Sequence, residues 1–227
     1  MTELEKVKRL QKKGEYDREI ELLKTLAVSG NVDAMFMLAE IYYYGYGVKE
    51  DGAEAAVWLK KAAEKGHTEA QYMLGECYYE GEGVEKDLAL AAKWYLAAAE
   101  KGHSNAAYGI GDCYYFGLGV PQDYSEAVKW FTVAAKGGLV DAQVEVGNMY
   151  LEGKGVVKDE TEAVRWYTLS AEQGYAEAWF LLGECYRLGR GVPQDNDEAE
   201  RLYALAAVQG HDGAKRELRR LDKKNPM

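Results

Sequence analysis

The apolar positions of residues 67–102 have the spacing of two amphipathic helices separated by a glycine-rich turn. The first stripe, spaced i, i+4, i+7 and i+8, is Ala70, Leu74, Cys77 and Tyr78. The second stripe is Ala91, Trp94, Tyr95, Ala98 and Ala99. Between them lie Gly81 and Gly83, and glycine allows the positive φ with which a helix ends and the chain reverses. The pattern therefore predicts a helix–turn–helix unit.

This unit recurs five times at a spacing of 36 residues, without an insertion. Each copy closes on a glycine: Gly66, Gly102, Gly138, Gly174 and Gly210. The copies therefore cover residues 31–66, 67–102, 103–138, 139–174 and 175–210. A unit this short cannot bury its own apolar face, so the copies must stack on one another. The sequence thus predicts an all-α fold, a right-handed α-solenoid of stacked antiparallel helix pairs.

The segments on either side of the copies have the apolar spacing of capping helices. Residues 1–30 predict a helix pair that caps the first copy. Residues 211–227 predict a capping helix, followed by a frayed tail from Lys223 to Met227. A solenoid needs such polar-faced ends to remain soluble. We count twelve predicted helices and expect them to form one continuous structural domain.

An aspartate stands where the second helix of each copy begins. These residues are Asp51, Asp87, Asp123, Asp159 and Asp195. In four copies a glutamate follows three positions later: Glu54, Glu126, Glu162 and Glu198. This spacing is typical of a capping box, in which each side chain accepts a hydrogen bond from a backbone N–H of the first turn. We therefore assign the aspartates to helix capping and not to catalysis.

Four glycines occupy one position inside the first helix: Gly75, Gly111, Gly147 and Gly183. The first copy has Ala39 at the same position. Because glycine inside a helix costs about 1 kcal/mol relative to alanine, its repetition indicates a close packing contact. We expect another backbone to approach this position too closely for a side chain.

The 227 residues are 48% hydrophobic and carry a net charge of −10, with the copies more acidic than the two terminal segments. Such an acidic body repels phosphate, which argues against nucleic acids and anionic membrane surfaces as partners and favours basic protein segments. The sequence contains no apolar run of about 18 residues that could span a membrane. Residues 1–6 lack the apolar core of a secretory signal. We expect a monomeric cytoplasmic protein, with export to another cell left open.

The cysteines and histidines do not form a metal or redox motif. One position of the copies holds Ile41, Cys77, Cys113, Met149 and Cys185. A position shared by these residue types is a buried apolar slot, and unpaired cysteines fit a reducing compartment. Three histidines stand at helix entries at least one copy apart, too far for a shared zinc ion: His67, His103 and His211. The sequence predicts no cofactor and no metal.

The third copy contains Ala106, Ile110-Gly111, Tyr114, Gly117-Leu118-Gly119-Val120, Asp123, Ala127, Trp130, Ala134-Ala135 and Gly138. In this order they resemble the Sel1-like repeat, a relative of the tetratricopeptide repeat, and the turn in residues 14–17 is similar to that of an ordinary tetratricopeptide repeat. The resemblance covers residues 31–210, and its small departures are Ala39, Ser170 and Leu202. It implies a non-enzymatic scaffold or adaptor, in which the first helices of the copies line a concave groove that holds a peptide or protein segment.

Three sets of residues on the first helices point to such a groove. One set is acidic and lies in mid-helix, where neither capping nor the helix dipole explains it: Glu40, Glu76 and Asp112. Two sets are aromatic: Phe36, Tyr72 and Tyr108, and then Tyr43, Tyr44, Tyr79, Tyr115 and Phe116. We hypothesise that these eleven residues, called the candidate groove below, bind a Lys- or Arg-containing segment through carboxylates and cation–π contacts. The aromatic residues could instead belong to the core, more readily those at the Phe36 position than those at the Tyr43 position, and this alternative stays open.

A second acidic set lies in the first turn of the same helices. Its members are Asp33, Glu69, Asp141 and Glu177, with Asn105 in the third copy. Carboxylates near a helix N-terminus are stabilised by the helix dipole. The dipole explains this set more simply than partner binding does.

Two other functional classes remain as alternatives. The candidate groove could bind a small molecule, a glycan or a cell-wall fragment, since tyrosines suit sugar faces and carboxylates suit hydroxyl groups. Some relatives of the resembled family have been proposed to act on β-lactams or other cell-wall compounds, a chemistry that needs a Ser-x-x-Lys motif. The serines that lack this motif are Ser29, Ser104, Ser125 and Ser170. We therefore expect no enzymatic activity.

Overall fold

The computed structural model describes residues 2–224, which form thirteen α-helices and no β-strand. The helices are α1 (Glu3–Lys13), α2 (Tyr16–Val28), α3 (Val32–Tyr44), α4 (Gly52–Glu64), α5 (Thr68–Glu80), α6 (Leu88–Ala99), α7 (Ser104–Phe116), α8 (Tyr124–Lys136), α9 (Val140–Glu152), α10 (Glu160–Glu172), α11 (Ala176–Leu188), α12 (Asn196–Val208) and α13 (Asp212–Lys224). Each copy supplies two helices, so the all-α fold of repeated helix pairs is confirmed.

Two details at the chain ends differ from the prediction. The count of twelve helices was wrong by one, because the ten helices of the copies are flanked by a pair at one end and a single helix at the other. The predicted tail was partly wrong, since α13 continues to Lys224. The rest of that tail, residues 225–227, lies outside the described part of the chain.

The chain divides into two compact units, Met1–Pro121 and Gln122–Met227. In the first unit, consecutive helices from α1 to α7 pack against each other. In the second unit, consecutive helices from α8 to α13 do the same. Each unit has its own buried apolar residues. Within residues 2–224, none of the helices is both long and apolar enough to cross a membrane. The expectation of one continuous structural domain stays a prediction.

All five aspartates cap their helices as predicted. In each case a side-chain oxygen accepts a hydrogen bond from a backbone N–H of the first turn. A capping box has a second hydrogen bond, from the backbone N–H of the capping residue to the glutamate carboxylate. This second bond was predicted wrongly. The backbone N–H of Asp51 donates to the carbonyl oxygen of Tyr42 at 2.9 Å, and the Glu54 carboxylate accepts from Nε1 of Trp58. Equivalent backbone bonds join Asp87 to Tyr78, Asp159 to Tyr150 and Asp195 to Tyr186.

The two glycines of each turn have different roles. Gly81, with φ of 81°, adopts the left-handed conformation that ends α5. Gly83 lies against the preceding copy, where a Cβ would come within 1.9 Å of the carbonyl oxygen of Gly52. The same close approach recurs at Gly119, Gly155 and Gly191. The second glycine is therefore required because the backbones of adjacent copies meet there.

Replacing Gly83 and Gly102 by alanine separates backbone strain from steric contact. Both glycines have positive φ, which costs an alanine about 1–2 kcal/mol, but nothing lies within 4 Å of a Cβ at Gly102. We expect Gly102→Ala to lower the free energy of unfolding by about that amount. Gly83→Ala should lower it by about 1–3 kcal/mol more, because the added methyl group overpacks the contact. Urea denaturation measures both values, and equal losses would show that Gly83 matters only for its φ.

Three of the four helical glycines face aromatic rings, whereas a contact with another backbone had been predicted. A Cβ at Gly75 would lie 2.6 Å from Cδ1 of Tyr95, which is a buried residue of α6. The same contact joins Gly147 to Tyr167 and Gly183 to Tyr203. The first copy has Ala39 and Leu59 at these two positions. A side chain is thus tolerated on the first helix where the second helix carries no ring.

A double-mutant cycle tests the contact between Gly75 and Tyr95. Gly75→Ala forces a methyl group into the buried ring and should lower the free energy of unfolding by about 1–3 kcal/mol. Tyr95→Leu alone leaves a cavity but makes room for that methyl group. We expect the double variant, which copies the pair in the first copy, to be more stable than additivity predicts by at least about 1 kcal/mol. Urea denaturation of the four proteins gives this coupling energy.

The matched control for this cycle is Ala39→Gly. It should lose about 1 kcal/mol of helix stability, since the first copy has a leucine and not a ring at the position of Tyr95. Strictly additive losses for Gly75→Ala and Tyr95→Leu would contradict the assigned contact.

Candidate partner-binding groove

The eleven residues of the candidate groove lie on three helices of one compact unit, α3, α5 and α7. Nine of them are half-buried, and none is fully buried. Tyr44 and Phe116, each the last residue of its helix, are 49% and 62% exposed. Large exposed aromatic side chains are more common at interaction surfaces than elsewhere on proteins. The half-buried members pack partly inside the unit, so their contacts determine what they can offer to a partner.

These three helices carry acidic side chains and no lysine or arginine. Their six acids are Asp33, Glu40, Glu69, Glu76, Glu80 and Asp112. Carboxylates of one sign on neighbouring helices produce a negative potential that attracts cations. The electrostatic part of the candidate groove is therefore suited to a positively charged ligand.

Aromatic residues at the position of Phe36 stack on the histidine that begins the next copy. The ring centroids of Phe36 and His67 are 4.3 Å apart, and those of Tyr72 and His103 are 4.6 Å apart. The second unit repeats this stack between Phe180 and His211. One face of each of these rings is used inside the protein, which favours the core alternative for this aromatic set.

The three histidines, which were predicted only as helix-entry residues, cap their helices. Nδ1 of His103 accepts a hydrogen bond from the backbone N–H of Ala106 over 3.1 Å, and Nε2 lies 3.0 Å from the Glu69 carboxylate. With Nδ1 accepting this bond, Nε2 is the ring nitrogen that is placed to donate to Glu69. The corresponding caps are His67 with Ala70 and His211 with Ala214.

The second acidic set therefore does more than complement the helix dipole, and that interpretation was incomplete. Glu69 contacts His103, and Glu177 contacts His211 at 2.8 Å. At the same position Asp141 accepts a hydrogen bond of 2.5 Å from the Tyr175 hydroxyl. Each of these contacts joins the first helix of one copy to the start of the next segment. The set links successive segments of the chain, a role that a single copy does not reveal.

The stability of the protein should depend on the protonation of His67. Burial lowers the pKa of this imidazole, and the Asp33 and Glu69 carboxylates offset part of that effect. The unfolded chain then binds a proton more readily than the folded protein, so the free energy of unfolding decreases as the pH falls below about 6.5. His67→Asn should remove this contribution and keep the cap, since Asn31 caps α3 in the same way.

We therefore expect wild type to lose more stability on acidification than His67→Asn does. Urea denaturation of both proteins on either side of about pH 6.5 measures the difference. Titrating groups that do not interact with His67 are the same in both proteins. Their contribution cancels when the free energy of unfolding of one protein is subtracted from that of the other. A difference that does not change with pH would contradict a lowered pKa of the half-buried His67 imidazole.

The mid-helix acidic position has a structural partner that the sequence analysis missed. The hydroxyl of Tyr95, on α6, donates a hydrogen bond to the Glu76 carboxylate. Equivalent bonds join Tyr203 to Glu184 and Tyr167 to Asn148. The available signal was a tyrosine that recurs 19 residues after this position in three copies. Glu76 therefore belongs to the packing of its copy as well as to the candidate groove.

Glu40 differs from Glu76, because the first copy has Leu59 where the second has Tyr95. Leucine has no hydroxyl, so this carboxylate receives no such bond from the second helix. Burial raises the pKa of Glu40, and the charge of Glu69 raises it further. Both effects disfavour the negative charge, and a nearby cation would offset them. Glu40 is consequently better suited to bind a ligand than Glu76 is.

The tyrosines of the other aromatic set combine a polar edge with a ring face. The Tyr43 hydroxyl donates to Oε2 of Glu82 over 2.8 Å. Nζ of Lys86 lies 5.2 Å from the ring centroid of Tyr79, within the range of a cation–π contact. Burial raises the pKa of Tyr43. It also raises the pKa of Tyr72, which belongs to the aromatic set of Phe36, to about 12. These phenols are thus neutral at physiological pH and do not repel an anionic neighbour.

All three cysteines are unpaired and buried, as predicted. Burial raises the pKa of Cys77 and Cys113 to about 12 and the pKa of Cys185 to about 11. The thiols are therefore protonated and pack as small apolar groups. In the part of the chain that the structure describes, no three His, Cys, Asp or Glu side chains converge as metal ligands.

The fold defines an α-helical repeat protein. The family model for the Sel1 repeat matches the chain at residues 32–67, 68–103, 104–139, 140–175 and 176–211. These repeats begin one residue later than the copies defined by their closing glycines. The chain belongs to the Sel1 repeat family. Sel1 repeat proteins generally serve as protein-interaction scaffolds and are generally not enzymes.

The solved structures that are similar to this chain include the following two. A Sel1 repeat protein from Oxalobacter formigenes is 34% identical with a TM-score of 0.89, and the alignment covers 97% of this chain and 93% of that one. A protective antigen present in uropathogenic Escherichia coli strains is 36% identical with a TM-score of 0.84. That alignment covers 88% of this chain but only 43% of the antigen, so this chain spans less than half of its length. No curated protein sequence matches the chain.

Proposed function

We propose that this protein is a scaffold that binds a Lys- or Arg-containing peptide or protein segment on the candidate groove. The observation that carries the proposal is the composition of α3, α5 and α7. They have six carboxylates, no cationic side chain, and an exposed aromatic residue at the end of α3 and of α7. Aromatic faces add about 0.5–2 kcal/mol for each cation that they contact. The position of Lys86 over Tyr79 supports the proposal, because it is the same type of contact made within the chain.

The tyrosine bond to Glu76 limits how the carboxylates can be changed. A reversed charge would break the bond from Tyr95, whereas an amide can accept it, as Asn148 does from Tyr167. The groove variant therefore combines Glu40→Gln, Glu76→Gln and Asp112→Asn. The matched control removes the same number of charges from exposed positions at the ends of second helices: Glu64→Gln, Glu100→Gln and Glu172→Gln.

Selection from a random peptide display library should enrich peptides that contain lysine or arginine. Their dissociation constants are then measured by fluorescence polarisation. We expect the groove variant to bind roughly 3- to 150-fold more weakly than wild type, since each exposed ion pair contributes about 0.2–1 kcal/mol. The control variant should bind like wild type. The affinity of wild type should fall steeply as the salt concentration rises.

Selected peptides without enrichment of lysine or arginine would contradict the proposal, as would equal losses in the two variants. Circular dichroism and thermal unfolding of both variants distinguish lost binding from lost structure. Binding that is insensitive to salt and to the groove variant would favour a glycan or another small molecule instead.

A further inference from the structure

A pocket of about 140 Å³ lies where the first two helices meet the first copy. Its lining comes from α1, α2, α3 and the turn after α3. The six lining residues, called the Glu19 pocket below, are Gln11, Glu19, Met37, Glu40, Ile41 and Tyr46. The terminal helix pair thus contributes two polar side chains to a cavity, although it was predicted only as a cap.

Glu19 is the unusual member of this pocket. Its side chain is only 1% exposed, and its Oε1 atom has no hydrogen-bond partner among the described residues. A buried carboxylate oxygen without a partner is unfavourable, and such groups in native proteins call for an explanation. Burial raises the pKa of Glu19, as it does that of Glu40. A positive charge next to both carboxylates would relieve the cost of burying them.

The chemistry of the pocket favours an organic cation over a metal ion. The two carboxylates have no third acidic, histidine or cysteine ligand nearby in the described chain. Met37 and Ile41 form apolar walls. A guanidinium group is planar and weakly hydrated, and its five N–H donors can reach several acceptors at once. The acceptors here are the Glu19 and Glu40 carboxylates and the side-chain carbonyl of Gln11. An ammonium group has three donors and loses more hydration on entry.

The geometry points to the following anchor, which rests on the proposed function: the Glu19 pocket binds the guanidinium group of an arginine in the segment that occupies the candidate groove. The pocket adjoins the candidate groove, because Glu40 belongs to both sets of residues. In addition, the ring centroid of Tyr46 lies 5.4 Å from that of Tyr44. An arginine of the partner segment, and not a lysine, then fixes the register of that segment at the first copy.

Methyl NMR spectroscopy tests this anchor directly, since the methyl groups of Met37 and Ile41 line the pocket. The probe is N-acetyl-arginine amide, added to the full-length protein with labelled methionine and isoleucine methyl groups. We expect saturable shifts of both resonances. N-acetyl-citrulline amide has nearly the same shape without the charge, and it should bind at least about tenfold more weakly. N-acetyl-lysine amide should also bind more weakly than the arginine probe.

Glu19→Gln should weaken binding of the arginine probe at least about tenfold, because it removes the buried charge and keeps the size of the side chain. The matched control is Glu21→Gln, an exposed position of the same helix, which should bind like wild type. Glu19→Gln should unfold at the same or a higher temperature than wild type. Thermal unfolding of both variants therefore separates lost binding from lost structure.

Several results would overturn the anchor. These are equal binding of the citrulline probe, unchanged resonances of both methyl groups, or unchanged affinity of Glu19→Gln. Tighter binding of putrescine than of the arginine probe would also overturn it, because the pocket would then serve a free polyamine.

A further comparison separates the anchor from the groove. Glu76→Gln with Asp112→Asn leaves the lining of the pocket unchanged. If this variant still binds the selected peptides but Glu19→Gln does not, the anchor is supported and the groove is not. If the reverse holds, the groove is supported and the anchor is overturned.

Discussion

The packing of an aromatic ring from the second helix against a glycine of the first helix is the contact on which the second, fourth and fifth copies depend. In the second copy the ring of Tyr95 lies where a side chain on Gly75 would be, and its hydroxyl binds Glu76. One side chain thus fills the interior, excludes a Cβ from the neighbouring helix and holds a carboxylate at the surface. The same tyrosine therefore connects the buried core to the acidic position of the first helix.

Adjacent copies are joined by contacts of a different kind. At the turn, backbone meets backbone, as where Gly83 approaches Gly52. At the helix entries, a histidine caps its own helix with one nitrogen and contacts the preceding copy with the other, as His103 does with Glu69. Because a single helix pair cannot bury its apolar face, these contacts stabilise the copy on both sides of the interface. The backbone contact explains why the turn glycine recurs in the last four copies, whereas in the first copy Gly47 meets the Tyr16 side chain.

The departures from the repeat are informative for binding. Where the pattern is regular, the acidic side chain accepts a hydrogen bond from the tyrosine of its own copy, as Glu76 and Glu184 do. The first copy has Leu59 instead, so its Glu40 is not held in this way and lines a pocket with Glu19. The regular positions mainly stabilise the protein. Glu40 remains suited to a ligand, because the second helix of its copy offers no tyrosine hydroxyl to its carboxylate.

The sequence by itself determined the helix pairs, their aspartate caps, the buried cysteines and the family. Each of these depends on local spacing or on repetition, which a linear pattern contains. Only the tertiary structure decided which atoms meet: a ring and not a backbone at Gly75, a hydroxyl at Glu76, and a histidine on Phe36. Glu19 was not singled out at all. It becomes a buried carboxylate only because three helices converge around it, and burial depends on neighbours that are distant along the chain.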